Sequence, residues 1–409
     1  MHHYTTITDA DLPEAFRIMR LAFTGEEPGQ RQWLATMGID NLRAMRPAKD
    51  AKPDAVVSLV RMSQHFGGRI VPMTGIVGVA VAPECRGAGV AQQMMASALR
   101  EAREVGTPIS TLYASTQSLY RKAGYEQAGS RFKITIRPDQ IGVRERTLNV
   151  RPITNDDADA VMECARRFAS HYDGTLVREG EAGGRGWDAY CWQRVRENRE
   201  TRFSGFAAES PDDRSRIDGY LFMHQGRSPH RGRQSLALSD LAFTTPESGR
   251  RLLAFLSDYA MIADDASFFG SPMHPILALM PLQKYQVEHF DYWMTRITDL
   301  PKALEARGYL PGVRASIDLE VTDAIIPENA GAWRIEVEGG SARVTKGKSG
   351  GGGEGGTVRC DIRALAPLYT GFTTPAQARL LGWIEGDDQA IKAASSIFPG
   401  STPWMNDMF

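Results

Sequence analysis

The stretch at 83–95, PECRGAGVAQQMM, places Arg86, Gly87 and Gly89 directly before an apolar pattern of helical period. Glycines allow a turn in which successive backbone N–H groups face one point, and a helix N-terminus adds the positive end of its dipole. Such a turn stabilises an anion, and Arg86 adds positive charge. A Walker loop would need Lys followed by Ser or Thr, and a Rossmann fingerprint would need GxGxxG. We therefore predict a phosphate-binding turn, with an ordinary flexible turn as the alternative.

Strands and helices alternate around this turn. Val- and Ile-rich runs bounded by glycine and proline, DAVVSLVRMSQHFGG and RIVPMTGIVGVAVAP, predict two strands before it. The apolar period predicts a helix over 90–104 after it. PISTLYAS then predicts a strand, TQSLYRKAGYEQ a short helix that ends at Gly124, and RFKITIRP a closing strand. The turn therefore lies at a strand-to-helix junction in an α/β unit.

The opening of the chain recurs further along it. YTTITDADLPEAFRIMRLAF and VRPITNDDADAVMECARRFASHY share a strand, a Thr/Asp cap and an amphipathic helix. The second copy has LAFTTPESGRRLLAFL where the first has the glycine turn, so it keeps the fold signal without the turn chemistry. A third segment contains alternating strands, a glycine-rich stretch at 349–356 that predicts a hairpin tip, and an apolar end, PWMNDMF. We predict three domains, at 1–145, 146–284 and 285–409.

Composition restricts the function classes. The 409 residues carry a net charge of −1, which gives no global reason to expect nucleic acid as a partner. Four cysteines without CxxC spacing argue against a zinc site or a disulfide framework. No apolar stretch approaches the ~18 residues of a membrane span, and the N-terminus lacks signal-peptide features. We expect a cytoplasmic protein with no metal and no membrane partner.

The stretch VAVAPECRGAGVAQQMM resembles the acetyl-CoA-binding motif of the GNAT N-acetyltransferases, Q/R-x-x-G-x-G/A. The resemblance implies that loop amides hold the CoA pyrophosphate and that the preceding strand pairs with the pantetheine arm. LYRKAGY at 119–125 resembles a second family motif, whose first tyrosine protonates the departing thiolate; here it is Tyr120. The alternative for Tyr120 is a ring that only packs. The residues implied to bind acetyl-CoA are Val79, Ala80, Val81, Arg86, Gly87, Ala88, Gly89, Val90 and Ala91.

The whole chain resembles the Eis (enhanced intracellular survival) acetyltransferases. This predicts an α/β (α+β) fold with two tandem GNAT-like mixed sheets, the second degenerate, and a C-terminal sterol-carrier-like domain. The resemblance implies that the C-terminal carboxylate, here that of Phe409, enters the first domain as general base; the alternative is an end that only packs. It also implies a homohexamer. The residues expected to bind the substrate are Phe23, Glu26, Trp33, Tyr113 and Ser115; for each, a solvated loop or a core position is the alternative.

These features favour transfer of acetyl to a primary amine of a cationic small molecule, such as an aminoglycoside, or of a lysine side chain. A second hypothesis is a protein that binds acetyl-CoA or lipid as a sensor. A third is a scaffold without catalysis. Direct transfer requires no acyl-enzyme, so Cys85 is interpreted as a small packed residue, and a lone His65 as a structural or surface residue.

Overall fold

The computed structural model describes residues 2–23, 29, 31, 34, 37–178, 189–198, 201–213, 215–230, 232–348 and 355–409. Its helices are α1 (Leu12–Ala22), α2 (Val90–Glu104), α3 (Gln117–Lys122), α4 (Ala158–Ala169), α5 (Tyr190–Arg196), α6 (Pro246–Ser257), α7 (Pro275–Ala278), α8 (Leu300–Ala306), α9 (Ile362–Thr370), α10 (Pro375–Leu380) and α11 (Asp388–Ile397).

The strands of the first half of the chain are β1 (His3–Thr6), β2 (Leu42–Arg46), β3 (Ala55–Phe66), β4 (Arg69–Val81), β5 (Ile109–Tyr113), β6 (Glu126–Ile136), β7 (Val150–Pro152), β8 (Leu176–Val177), β9 (Glu197–Asn198) and β10 (Thr201–Arg202). Those of the second half are β11 (Ser204–Glu209), β12 (Ile217–Arg227), β13 (Gln234–Phe243), β14 (Ala263–Gly270), β15 (Tyr285–Ile297), β16 (Ala315–Thr322), β17 (Gly331–Glu338), β18 (Ser341–Lys346), β19 (Thr357–Asp361) and β20 (Ile384–Glu385).

One large mixed sheet spans both copies of the repeat. Within the described residues its strand order is β1-β2-β3-β4-β5-β15-β6-β14-β13-β12-β11-β7, with β8 on the side of β3. The predicted α/β class is confirmed, and the two predicted sheets are joined edge to edge into one. Strand β15 is inserted between β5 and β6, and it pairs antiparallel with both.

The repeat predicted from the two openings is visible in their local structure. Thr8 and Asp11 form a capping box before α1, and Thr154 and Asp157 form the same box before α4. In each copy an arginine from a neighbouring strand binds the box aspartate through two hydrogen bonds, with N–O distances of 2.7–2.8 Å. The same sequence pattern therefore builds the same helix start twice. The stretch YTTITDADLPEAFRIMRLAF, whose end was predicted to be helical, runs to Phe23, but α1 ends at Ala22 and Phe23 lies in extended backbone with 40% exposure.

The C-terminal part has its own five-stranded sheet, ordered β18-β17-β16-β19-β20. Residues 349–354 of the predicted hairpin tip at 349–356 lie outside the described residues. The strands on either side of it, β18 and β19, do not pair with each other, because β19 pairs parallel with β16. Hairpins and crossovers both use glycine, and composition does not distinguish them. The predicted boundary at residue 285 stays a prediction, but the strand that begins there pairs in the large sheet.

A buried ion pair links the two sheets. The Arg296 guanidinium on β15 donates two hydrogen bonds, of 2.7 and 2.6 Å, to the Asp323 carboxylate just after β16. The Asp323 oxygens also accept from the backbone N–H groups of Ile325 and Ile326 and from the Asn329 amide. Both charged side chains are at most 1% exposed. Every oxygen is therefore satisfied by a partner, as a buried charge requires.

Candidate active site

The predicted phosphate-binding turn joins β4 to α2. Gly87 and Gly89 have φ of +84° and +76°, the left-handed region that favours glycine. Gly89 is the N-cap of α2, and no side chain caps the helix. The first-turn N–H groups therefore remain available to an anion. No heavy atom of a described residue lies within 4 Å of a Cβ built at Gly87, so the approach to the turn is open.

The flanking residues complete the turn. Arg86, Gly87, Ala88 and Gly89 are exposed, and Arg86 makes no ion pair with the described residues. Val90 is buried and anchors the start of α2, whereas Ala91 is half-buried. The residues present therefore fit a pyrophosphate group: the turn offers open amides at an uncapped helix start, with the exposed Arg86 next to Gly87 in the chain.

Strands β4 and β5 separate just before the turn. Their parallel pairing is confined to Met73, Thr74 and Gly75 of β4, so the following residues have no partner on β5. A β-bulge at Gly78, with φ of +64°, shifts the register with β3 beside this opening. Val79, Ala80 and Val81 have no partner on the β5 side of β4, whereas Ala80 and Val81 still pair with β3 on the other side. One edge of the strand is therefore open at these three residues. The opening between β4 and β5 is called the first cleft below.

Tyr120 lies on α3, with 7% exposure, in the hydrophobic cluster that contains Ile76 and Leu112. Its ring contacts Tyr125 edge-on, with centroids 6.0 Å apart. The Tyr125 hydroxyl is hydrogen-bonded to Ser110, whereas no described residue makes a hydrogen bond to the Tyr120 hydroxyl. Burial raises the pKa of Tyr120 to about 12, which keeps the phenol protonated and able to donate.

The C-terminal residue reaches the first cleft from the other face of the sheet. Phe409 is 9% exposed, and its ring contacts Tyr113 of β5 edge-on at a centroid distance of 6.2 Å. A Cβ built at Gly75, the last paired residue of β4, would lie 3.0 Å from the Phe409 ring. Side chains alternate along a strand, so Gly75 and Tyr113 face Phe409 while their neighbours Ile76 and Leu112 face the Tyr120 cluster. The two predicted catalytic residues thus approach the first cleft from opposite faces.

The predicted substrate residues have mixed positions. Tyr113 is half-buried beside Phe409 and donates a hydrogen bond of 3.1 Å to the Met405 carbonyl; burial raises its pKa above the ordinary value. Ser115 is exposed in the loop that follows β5. Phe23 is exposed at the end of α1. Glu26 and Trp33 lie outside the described residues. Of the three predicted substrate residues that the structure describes, it brings Tyr113 against Phe409 and leaves Phe23 and Ser115 exposed.

The second copy of the repeat lacks this chemistry for a visible reason. At the start of α6, Thr245 replaces the glycine cap, and its hydroxyl accepts a hydrogen bond of 3.1 Å from the Ser248 N–H. The helix amide is thus satisfied within the chain. Tyr120 is four residues after the N-cap of α3, and the residue four after the N-cap of α7 is Ala278. The second copy therefore has neither an open anion site nor a phenol at the equivalent position.

Sequence reasoning missed the contacts that hold the last seven residues, 403–409, called the tail below. Gln64 of β3 is fully buried and donates hydrogen bonds to the Gly174 carbonyl and the Met405 sulfur. The Ser130 N–H of β6 donates to the Pro403 carbonyl at 3.2 Å. The apolar composition of the tail predicts burial, but no local pattern identifies partners hundreds of residues away in the chain.

Other chemistry is not evident in the described ranges. They contain no group of three or more His, Cys, Asp or Glu side chains arranged to hold a metal ion. None of their helices is long and apolar enough to cross a membrane. His65 is 3% exposed, and burial lowers its pKa below the ordinary value. His65 is therefore a buried neutral residue on β3, in agreement with the structural interpretation.

Comparison with known proteins agrees with this architecture. Family models match residues 3–128 as an acetyltransferase (GNAT) domain, residues 183–297 as a second acetyltransferase (GNAT) domain, and residues 300–406 as a sterol carrier protein domain. A GCN5-related N-acetyltransferase from Anabaena variabilis, known from its crystal structure, is 31% identical; the match covers 100% of both chains with a TM-score of 0.90.

Two curated relatives extend the comparison. An uncharacterised N-acetyltransferase from Streptomyces avermitilis is 27% identical over an alignment of 357 positions that covers 83% of this chain and 82% of that protein. The N-acetyltransferase Eis of Mycobacterium tuberculosis is 24% identical over an alignment of 420 positions that covers 97% of this chain and 96% of that protein.

The fold and the site define an acyltransferase, and the chain belongs to the GCN5-related N-acetyltransferase (GNAT) family. Within that family it is Eis-like, because two GNAT domains precede a sterol carrier domain and the similarity to Eis extends over nearly the whole chain. The second GNAT match includes β15, which the domain prediction had assigned to the third domain.

Proposed function

We propose that this enzyme uses acetyl-CoA to acetylate primary amines of cationic small molecules or of lysine side chains, by direct transfer. The observation that carries the proposal is the position of Phe409, beside the last paired residue of β4, where the first cleft opens towards the uncapped glycine turn. A carboxylate at a chain end inside an acyl-transfer cleft is suited to remove a proton from an amine.

Each part of the site has a distinct task in this proposal. Acetyl-CoA supplies the acetyl group as a thioester. The amides of Gly87, Ala88, Gly89, Val90 and Ala91, with Arg86, would hold its pyrophosphate, and the free edge of β4 at Val79, Ala80 and Val81 would align its arm. The Phe409 carboxylate accepts a proton from the acceptor amine, and the Tyr120 hydroxyl donates one to the departing sulfur. The amine nitrogen forms a bond to the acetyl carbon as the bond from that carbon to the CoA sulfur breaks, which gives the amide and free CoA. The Phe409 carboxyl is then protonated and Tyr120 is a phenolate, and transfer of one proton from the first to the second through solvent restores both groups.

A covalent acetyl-enzyme is not needed. Cys85 is the cysteine next to the turn, and burial, followed by the neighbouring Asp54, raises the pKa of its thiol. The thiolate is the reactive form, so this environment makes Cys85 a poor nucleophile. Direct attack by the amine is the simpler path.

The test measures CoA thiol release with acetyl-CoA and a panel of aminoglycosides, polyamines and lysine peptides. Tyr120→Phe removes the donor, and a chain extended by one glycine moves the carboxylate while keeping the Phe409 ring. Phe409→Leu keeps the carboxylate without the ring, and Tyr4→Phe, whose hydroxyl binds Glu101 on α2, is a matched control. We expect loss of about 10²-fold or more in kcat for the first two variants and little change in the control.

Three outcomes separate the hypotheses. Wild-type turnover in the extended chain would refute the carboxylate as base while keeping the enzyme. Full activity of Tyr120→Phe would refute the phenol as acid. Tight acetyl-CoA binding without release for any amine would support the sensor or scaffold hypothesis, and co-purified lipid would favour the sensor.

We further propose a cytoplasmic homohexamer, on the basis of the family resemblance. Leu380 and Met261 are exposed by 86% and 84%, which makes them candidates for burial between subunits. Sedimentation equilibrium of the full chain tests the assembly: a single monomer species at micromolar concentration would refute it.

A further inference from the structure

The second copy of the repeat keeps an opening like the first cleft. Strands β13 and β14 pair in parallel from Gln234 to Ala237 and then separate. The register between β12 and β13 shifts at Ser239, two residues beyond the last pair, so a bulge adjoins this opening as it does in the first copy. This opening, between β13 and β14, is called the second cleft. At the start of its helix α6, Pro246 has no N–H and the Ser248 N–H is bound by Thr245, so the second cleft lacks the glycine turn of the first and suits a different kind of occupant.

The tail of the same chain lies against the second cleft. The Trp404 ring is 5.5 Å from the His274 ring and 5.7 Å from the Tyr172 ring, centroid to centroid. Trp404 is 5% exposed and belongs to the hydrophobic cluster of the second copy, with Phe168 and Tyr220. The Trp404 indole therefore fills apolar space that belongs to the second copy.

The polar contacts of the next residue reach the bulge itself. The Asn406 side-chain amide donates to the Ser239 carbonyl at 3.3 Å and to the Asp240 carboxylate at 3.2 Å. In the first cleft the corresponding edge of β4 is the part that we assign to the arm of acetyl-CoA. The Asn406 side-chain amide thus hydrogen-bonds to β13 at the position that corresponds to the part of β4 where we expect the arm of acetyl-CoA to bind.

A buried charge cluster fixes the following residue. Arg178 donates to Asp240 at 2.5 and 2.9 Å and to Asp407 at 3.0 Å, and the Tyr220 hydroxyl donates to Asp240 at 2.6 Å. Burial would raise the pKa of Asp240, but the Arg178 charge outweighs it and holds this pKa below the ordinary value. The Arg178, Asp240 and Asp407 side chains are only 11%, 6% and 14% exposed. The tail is therefore tied to the second copy by charges that water screens poorly.

These contacts of the tail restrict the position of Phe409. Phe409 lies two residues beyond Asp407, and two fully extended residues span about 7 Å. The Met405 carbonyl is also held, by the Tyr113 hydroxyl of β5. Loosening the contact at Asp407 would therefore let the terminal carboxylate move over several ångströms, up to about 7 Å. A displacement of only about 1 Å already costs about 10²-fold in rate.

We propose that the second cleft is the binding site of the chain's own tail, which takes the place of an acyl carrier arm there and holds Phe409 at the first cleft. Trp404, Asn406 and Asp407 are positioning residues, and the degenerate copy serves as the support for the general base. This rests on the proposed function for its kinetic consequence, while the docking itself is independent of it.

Docking is measured by release of Phe409 with carboxypeptidase Y, followed by intact mass. Asp407→Asn removes one charge from Arg178 but leaves Asp240 to pair it, and Trp404→Leu empties part of the second cleft. Thr402→Ala is the control, because Thr402 is exposed just before the tail. We expect release to accelerate about tenfold or more in both variants, the order expected for one charge-assisted hydrogen bond, and to be unchanged in the control. Equal release rates in all four chains would overturn the proposal.

The kinetic readout separates positioning from a general loss of structure. We expect Asp407→Asn to lower kcat by about 10- to 100-fold with KM for acetyl-CoA nearly unchanged. The same substitution in a chain that lacks Phe409 should have no further effect, and Asp407→Glu should restore part of the rate. An equal loss in the shortened chain would refute positioning through Phe409. If no amine is acetylated, the proposed function fails, and protease protection alone then decides the docking.

Discussion

Gly75→Ala adds one methyl group at the point where β4 and β5 separate. Gly75 has no positive φ, so alanine fits its backbone without strain. The new Cβ would lie 3.0 Å and 3.2 Å from two ring carbons of Phe409 and 3.3 Å from the Met62 sulfur. Ordinary van der Waals contact begins near 3.4 Å, so the ring must move by a few tenths of an ångström. The atoms that must yield belong to the Phe409 side chain, whereas the backbone of β4 is held by β3 and β5.

The expected magnitude follows from this displacement. A displacement of about 1 Å costs about 10²-fold in rate, so a shift of a few tenths of an ångström should lower kcat by about 3- to 10-fold. The fold itself should not suffer, because a Gly→Ala change at a compatible site reduces the entropy of the unfolded chain and stabilises by about 0.4–1 kcal/mol. Activity and stability are therefore predicted to move in opposite directions.

The assay follows CoA thiol release at saturating acetyl-CoA and amine, with thermal unfolding in parallel. Gly312→Ala is the matched control, because a Cβ there meets no atom within 4 Å and its φ is not positive. We expect unchanged kcat in that control. Wild-type kcat in Gly75→Ala, or the same fold-loss when the substitution is made in a chain lacking Phe409, would refute a contact with the terminal residue as the cause.

Three further predictions test other parts of the molecule. Gly89→Ala should raise KM for acetyl-CoA, because a residue with a Cβ pays about 1–2 kcal/mol for the left-handed φ that the turn requires. Gly106→Ala is the control: its φ is +83°, just past the other end of α2, so it should cost similar stability and leave KM unchanged. Asp323→Asn leaves a buried guanidinium unpaired and should lower the free energy of unfolding in urea by about 3–5 kcal/mol, whereas Glu320→Gln in an exposed ion pair should change it by less than about 1 kcal/mol. Burial lowers the pKa of His274 to about 3. As the pH falls below about 6.5, the unfolded chain therefore binds a proton that the folded chain does not, and the free energy of unfolding decreases by about 1.4 kcal/mol for each pH unit. His274→Gln should flatten that slope in acid unfolding curves, and an unchanged slope would contradict the prediction.

Local signals in the sequence were sufficient for the first copy of the repeat. The helix predicted over 90–104 corresponds to α2 residue for residue, and Gly124 has the left-handed φ of +84° expected of a helix end. These features depend on neighbours in the chain: glycine permits the turn, and the apolar period selects the buried face. The glycine turn was recognisable because its residue types are needed by its own backbone.

Long-range order was not accessible in the same way. β15 has a strand pattern, but nothing in it indicates that it enters between β5 and β6 rather than the sheet that follows. Arg178, Asp240 and Asp407 are each unremarkable charged residues in the sequence, and only the fold makes them one buried cluster. Such contacts are decided by which surfaces are left unpaired after the local elements have formed, and a single sequence does not contain that information in any short window.

The two copies show how one residue at a helix start decides whether the first amides of the helix are capped within the chain or are open to a phosphate. A glycine N-cap is only a few tenths of a kcal/mol weaker than a side-chain cap, because water can reach the free amides; the same amides are then available to a phosphate. With Thr245 in place of glycine, α6 satisfies its own amide and loses that site.

The parallel strands still separate in both copies, since this depends on the bulge and not on the cap. A cleft without an anion site binds no CoA, but it retains an apolar floor and free backbone groups. A segment of the chain itself can occupy such a cleft without the entropy cost of recruiting a separate molecule, which is why we place the support of the terminal carboxylate in the copy that lost the turn.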